Sequence, residues 1–281
     1  MCRIAGYYDF RKNSRPDHHE VITKMCDVVK NGGPDDAGYH IVHDRSDHTI
    51  ALGHRRLSIL DLSPLGHQPM LSSDGKKTIT FNGEIYNFHE IRKELEAQGV
   101  RFKTQTDTEV ILAAYEKWGV ACLNKFRGMW AFAIWDEEKQ ELFLCRDRVG
   151  VKPLYWYHQN NVFIFASELK SFREHPHFKA ELDDAALSSY FKYGYIRAPH
   201  SIYRNIFKLE PGTYLTMSGD QKITQGVYWR ASNYVLGGIE EQNLWLKRPE
   251  EEILKELEEI LTESFNLRLV SDVPVGVFLS G

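Results

Sequence analysis

Between residues 126 and 165 the chain passes through four short apolar stretches with little but turns between them. Stretches 126–135 and 142–145 flank the charged turn Asp136-Glu137-Glu138-Lys139, and Asn160-Asn161 separates 154–157 from 162–165. Runs this short and this closely spaced predict a buried antiparallel sheet with short connections. Further strands are predicted over 3–8, over 78–81, and over 50–52 continuing through His54-Arg55-Arg56-Leu57-Ser58-Ile59-Leu60-Asp61. A last hairpin is predicted over 206–217, turning at Glu210-Pro211-Gly212-Thr213. Helices are predicted over 17–30, over 108–118 with Asp107 as N-cap, and from Asp183 to a stop at Gly194. Another runs from Asn87, with Glu90 completing a capping box, to Gly99. The glycine-rich segment 31–38 reads as a loop. Arg146-Asp147-Arg148, beside an apolar strand, predicts an internal ion pair.

Composition removes several classes of function. The 281 residues, 42% hydrophobic and 26% charged, suffice for one large or two modest globular domains. A net charge of -4 offers no basic face to nucleic acid. No apolar run nears the ~20 residues of a membrane span, and the N-terminus carries no signal-peptide pattern. Cys2, Cys26, Cys122 and Cys145 lie far apart, so free thiols and a reducing, cytoplasmic setting are expected. The histidine pairs His40/His43 and His175/His177 lack a carboxylate or Cys at ligand spacing, so no metal is expected.

Two stretches carry chemistry. Cys2 follows the initiator Met and is small enough for Met1 to be trimmed. One residue would then hold both a thiol and a free α-amine. A free thiol ionises near pH ~8.5 and an α-amine near ~7.7–8.0, so the amine can take the thiol proton at neutral pH. This is an N-terminal nucleophile, base and nucleophile in one residue. The second stretch is Asn82-Gly83-Glu84, predicted at a strand end and bulged before a helix, where side chains and backbone N–H groups converge on a ligand.

The pattern changes after about residue 218. Segment 218–248 reads as turn-rich and irregular. Pro249 then opens a helix with Glu250, Glu251 and Glu252 in its first turn and one apolar face. An apolar strand is predicted from Val273, ending in Leu279-Ser280-Gly281 as a phosphate-cradling loop begins.

Taken together, several stretches resemble class II glutamine amidotransferases, most closely the domain found in glutamine-hydrolysing asparagine synthetases. They include Met1-Cys2-x-Ile4, Gly33-Pro34-Asp35-Asp36, His54-x-Arg56-Leu57-Ser58-Ile59, Asn82-Gly83-Glu84-Ile85-Tyr86-Asn87 and Thr106-Asp107-Thr108-Glu109. Phe126-x-Gly128-Met129, Arg146-Asp147-Arg148-x-Gly150-x-Lys152-Pro153 and Ala166-Ser167-Glu168 follow in family order. The resemblance implies an α+β fold, the four-layer αββα sandwich of N-terminal-nucleophile (Ntn) hydrolases, over 2–218. A connector over 219–248 and the start of an α/β ATP-pyrophosphatase domain over 249–281 would follow.

Roles follow by the same resemblance. Cys2 would attack the glutamine side-chain amide. Asn82 and the Gly83 N–H would form the oxyanion hole. Arg56 would clamp the α-carboxylate, and Glu84 and Asp107 the α-ammonium, with Leu57, Ile59 and Leu60 completing the glutamine site. The glutaminase step would need no cofactor. ATP and Mg²⁺ would serve a synthetase partner that receives ammonia, with Leu279, Ser280 and Gly281 opening its nucleotide loop. A homodimer is compatible with the sequence. Two other readings stay open: a non-catalytic binding module, and a glutaminase serving a sugar or peptide acid. Arg3 and Gly32 depart from the family pattern, which usually has a small residue after the nucleophile and Arg before Gly33. A cation at position 3 would lower the thiol's pKa or crowd the substrate.

Overall fold

The structure, a computed structural model, describes residues 2–12 and 17–279, with the backbone alone for 239–245. In chain order the strands are β1 (Arg3–Asp9), β2 (Asp36–His43), β3 (Thr49–Arg56), β4 (Met70–Leu71), β5 (Lys77–Ile85) and β6 (Gly128–Asp136). Then come β7 (Glu141–Arg146), β8 (Tyr155–Gln159), β9 (Val162–Ala166), β10 (Ile206–Lys208), β11 (Thr213–Ser218) and β12 (Ile223–Val227). The helices are α1 (His18–Asp27), α2 (Phe88–Ala97), α3 (Asp107–Trp118), α4 (Leu169–Arg173), α5 (Asp184–Tyr193), α6 (Ala231–Trp245) and α7 (Glu250–Arg268). One sheet has the order β10-β8-β9-β1-β3-β2, the other β12-β11-β7-β6-β5-β4.

Strand alternation sorts the apolar side chains into three layers. Ile4 and Tyr8 of β1 and Phe163 and Phe165 of β9 meet Ala131, Ala133, Leu142 and Leu144 between the sheets. Their neighbours Ala5, Tyr7 and Ile164 face Ile22 and Met25 of α1 and Phe172 of α4. On the far side Phe132, Ile134 and Phe143 pack on Ile91 and Leu95 of α2 and Val110 and Ile111 of α3. Both sheets are thus covered on both faces, which is why their strands read as nearly continuous apolar runs. Each large side chain so buried is worth about 1.5–3 kcal/mol. The result is the expected αββα sandwich. Among the described residues no helix is long and apolar enough to cross a membrane.

Several local expectations fail for identifiable reasons. Segment 206–217 is not a hairpin: β10 joins β8 in one sheet, and β11 joins β7 in the other. Ile206 belongs to the outer core, whereas Leu215 and Met217 belong to the layer between the sheets. Segment 31–38 is not all loop, because β2 starts at Asp36 and pairs with β3. No bulge interrupts β5, which stays in register with β6 through Asn82↔Ala131, Gly83↔Trp130 and Glu84↔Met129. Arg146 donates to the carbonyls of Gly150, Lys152 and Leu209 at 2.7–2.8 Å, while Asp147 accepts from the backbone N–H groups of Val151 and Lys152. Backbone groups, not an ion pair within Arg146-Asp147-Arg148, satisfy these two charges.

Segment 218–248 is also more regular than expected, since it contains β12 and α6. Helix α7 begins after Pro249 as predicted, with no buried side chain, and Leu254, Ile260 and Phe265 stand more than half exposed. The segment from Val273 to Leu279 forms no strand. Among the described residues no strand pairs with it, and a lone strand is unstable in water.

A domain boundary at 218, as expected above, would make a cut near Met217 harmless. The structure predicts otherwise. β12 pairs with β11 from Thr213 to Met217, and Tyr228 Oη donates to the Arg146 carbonyl at 2.8 Å. Losing a packed aromatic costs about 3–5 kcal/mol, or about 10 °C in a domain of this size. A chain ending at 217 should lose that much in thermal melts, whereas one ending at 230 should stay within about 5 °C of the parent. Equal melting temperatures would contradict this account of β12.

Candidate active site

The cleft lies at one end of the sandwich, where alternation aims four functional side chains between the sheets. On β3, Ile50 and Leu52 point there, and so do His54 and Arg56 two and four residues on. On β5, Ile79 and Phe81 face the helices, so Thr80, Asn82 and Glu84 face the opposite sheet. β1 pairs with β3 in the register Arg3↔Arg55, which brings Cys2 level with Arg56. Two bonds pin the sheets together here. Thr80 Oγ1 donates to the Gly53 carbonyl at 3.0 Å, and His54 Nε2–H donates to the Phe81 carbonyl at 2.9 Å. Burial lowers the pKa of His54 to about 3, so it is a neutral imidazole.

All nine residues singled out for the nucleophile and glutamine site line this cleft: Cys2, Arg56, Leu57, Ile59, Leu60, Asn82, Gly83, Glu84 and Asp107. The cavity is about 70 Å³. The Leu57 N–H donates to Cys2 Sγ at 3.2 Å, and the thiol lies 3.5 Å from the Leu57 carbonyl, which can accept its proton. Burial pushes the Cys2 thiol up; the Leu57 hydrogen bond and the Lys152 charge pull the other way.

Asn82 is fully buried, and neither its Nδ2 nor its Oδ1 has a hydrogen-bond partner among the described residues. A buried amide left unpaired costs about 1–3 kcal/mol, so its place in the cleft marks it for a ligand. A Cβ on Gly83 would lie 2.2 Å from the Met129 carbonyl oxygen, so only glycine fits beside it. Burial raises Glu84 to about 7, with the Asp107 charge adding to it, and burial raises Asp107 to about 6. Two carboxyls lifted this way favour a bound cation.

Some details were not legible in the sequence. Asp107 is not the cap of α3. Thr106 caps it by accepting from the Glu109 N–H, and Asp107 Oδ2 accepts from the Ile85 N–H at 2.9 Å. Asn87 stands at the N-cap position of α2 but makes no cap bond; its side chain joins the Lys125 carbonyl and the Arg127 N–H. Arg56 donates to the Leu60, Asp61 and Ser63 carbonyls, so it braces the pocket loop besides lining the cleft. Gly66 makes room for it, since a Cβ there would meet Arg56 Nη2 at 1.9 Å. From the other side, Asp272 Oδ2 accepts from the Asp61 N–H at 2.7 Å. Lys152, 2% exposed, also lines the cleft. Its motif was visible but its place in the cleft with Cys2 was not. Leu279 is 92% exposed, far from a cradle, and Ser280 and Gly281 lie outside the described residues.

Two antiparallel sheets between helical layers, with a cysteine at the head of a central strand, define the Ntn-hydrolase class. The chain belongs to the family described as "Glutamine amidotransferase domain", whose model matches residues 1–229. It is 39% identical to a putative glutamine-hydrolysing asparagine synthetase 2 of Methanocaldococcus jannaschii, covering all of this chain and 55% of that protein. It is 36% identical to the glutamine-hydrolysing asparagine synthetase 1 of Bacillus subtilis, covering all of this chain and 42% of that one. The chain thus spans about half the length of these relatives. In fold it is similar to the glutamine PRPP amidotransferase of B. subtilis, with a TM-score of 0.59 and 19% identity over 81% of this chain and 49% of that one.

Proposed function

We propose that this chain hydrolyses the side-chain amide of L-glutamine to glutamate and ammonia. One observation carries the reading: the thiol of Cys2 and the partnerless amide of Asn82 line a single cleft with a guanidinium and two carboxyls. With Met1 removed, the α-amine of Cys2 takes the thiol proton and the thiolate attacks the amide carbon. Asn82 Nδ2 and the Gly83 N–H hold the oxyanion. The ammonium form of the amine returns its proton to the leaving nitrogen, ammonia departs, and a thioester remains. Water then cleaves it to glutamate and restores the thiol. Arg56 holds the α-carboxylate. Glu84 and Asp107 hold the α-ammonium.

Ammonia then passes to a synthetase unit, on the same chain or another, that activates an acid with ATP and Mg²⁺. Similarity to asparagine synthetases favours aspartate as that acid; a sugar or peptide acid is the alternative. That step is assigned to the partner unit. The free thiols of Cys26, Cys122 and Cys145, all buried, suit the reducing cytoplasm. A glutaminase assay on protein with a mass-verified Cys2 terminus tests the reading, and absence of turnover would leave the non-catalytic module in its place.

The carboxyls set a pH dependence. With Glu84 near 7 and Asp107 near 6 in the free protein, binding a cationic ammonium favours their charged forms and releases protons. KM for glutamine should therefore be lowest above pH 7.5 and rise as pH falls through 7 to 6, by about tenfold per carboxyl per unit at the acid end. A KM flat from pH 8 to 5.5 would remove these residues from the ammonium site.

A further inference from the structure

The geometry points to Arg3 as a positioning residue that holds the nucleophile's backbone, and to Gly32 as the residue that makes room for it. This rests on the glutaminase reading above. β1 alternates, so Arg3 emerges on the face opposite Cys2 and leaves the cleft clear. There its Nε pairs with the Glu168 carboxylate, and its Nη1 donates to the Cys2 carbonyl at 3.0 Å. One guanidinium thus bridges the nucleophile's own peptide and a carboxylate at the start of α4. Glu168 is fixed in turn by Lys170, at 3.2 Å. The bridge is partly shielded, with the Arg3 and Glu168 side chains 20% and 30% exposed.

Gly32 lies under this side chain. A Cβ there would stand 2.7 Å from Arg3 Cγ, 2.8 Å from Cζ and 2.9 Å from Nε. These are contacts that real Cβ atoms do not make, and the stem as well as the tip of the arginine would have to move. The peptide of Cys2 has few other restraints, since strand pairing begins at Arg3. The fork therefore fixes the direction in which Sγ leaves the backbone and keeps it against the Leu57 N–H. Lysine cannot replace it: one ammonium carries the charge to Glu168 but lacks the planar fork that reaches both acceptors.

A double-mutant cycle tests this on the whole chain. Arg3→Ala and Gly32→Ala should each lower kcat by about tenfold, the scale of a misplaced nucleophile, with KM for glutamine within twofold. The double variant should be no worse than either single one, because Gly32→Ala harms only by displacing Arg3. Arg3→Lys should keep the melting temperature within about 3 °C yet lose as much kcat as Arg3→Ala. Additive losses in the cycle, or full activity in Arg3→Lys, would overturn the inference. The same four proteins are compared in the rate of Cys2 alkylation by iodoacetamide at pH 7.5, which needs no glutamine. A loosened Leu57 contact should slow it, again non-additively. If the parent chain hydrolyses no glutamine, the functional reading fails, and the alkylation cycle alone decides for or against the bridge.

Discussion

Cys2→Ala should abolish glutamine hydrolysis, by at least about a thousandfold, and leave the melting temperature within a few degrees. Both halves follow from where the residue sits. It is half-buried before the first paired residue of β1, and among the described residues its thiol hydrogen-bonds to the Leu57 backbone. No core layer depends on it. Yet every covalent step of the proposed reaction runs through Sγ, and no neighbouring thiol replaces it, since Cys26, Cys122 and Cys145 are buried. Loss of a nucleophile leaves only the contributions of binding and oxyanion stabilisation. The shared base adds a second arm: protein that retains Met1 should be equally inactive, because its amine sits one residue too far. Intact-mass analysis beside the assay decides this, and turnover by either form would sink the mechanism.

Asn82→Ala should lower kcat by about 100- to 1000-fold and leave KM within a few-fold, because an oxyanion donor acts chiefly in the transition state. The same substitution should not destabilise the protein. Both amide atoms of Asn82 are buried without a protein partner, so removing them relieves a desolvated group, by about 1 kcal/mol or more. A small cavity offsets part of that gain. Activity and stability therefore move independently, which distinguishes this variant from one that merely loosens β5. Chemical denaturation and steady-state kinetics on one preparation would show it. A large fall in stability together with a rise in KM would mean that Asn82 is a structural residue.

The layers were legible because apolar runs with turns between them imply buried sheets. Cys2 and Asn82-Gly83-Glu84 stood out by their own chemistry, whereas Arg56, Leu57, Ile59, Leu60 and Asp107 were assigned to the site through the family resemblance. What escaped depends on three-dimensional neighbours. A carboxylate one residue inside a helix looks like one at its cap, so Thr106 and Asp107 exchanged roles. The half-buried β2 has no apolar run to betray it. The ion pair expected in Arg146-Asp147-Arg148 gave way to backbone partners supplied by segments as distant as Leu209. Arg3 and Gly32, read as two separate departures, are one feature, since the side chain of the first occupies the space left by the second.

The two pins between the sheets, Thr80 to Gly53 and His54 to Phe81, carry a further consequence. The proposed nucleophile is mounted on one sheet and the proposed oxyanion donors on the other, like the two jaws of a caliper. What sets the opening of the jaws is the thickness of the layer between them, and beside Asn82 that layer includes small side chains. Ala131, paired with Asn82, and Ala133 are its small spacers, both fully buried. One added methylene there would push the sheets apart and spread Cys2 from Asn82 without any change in the cleft's own residues. The smallness of two alanines, remote from any substrate, thus belongs to the dimensions of the reaction.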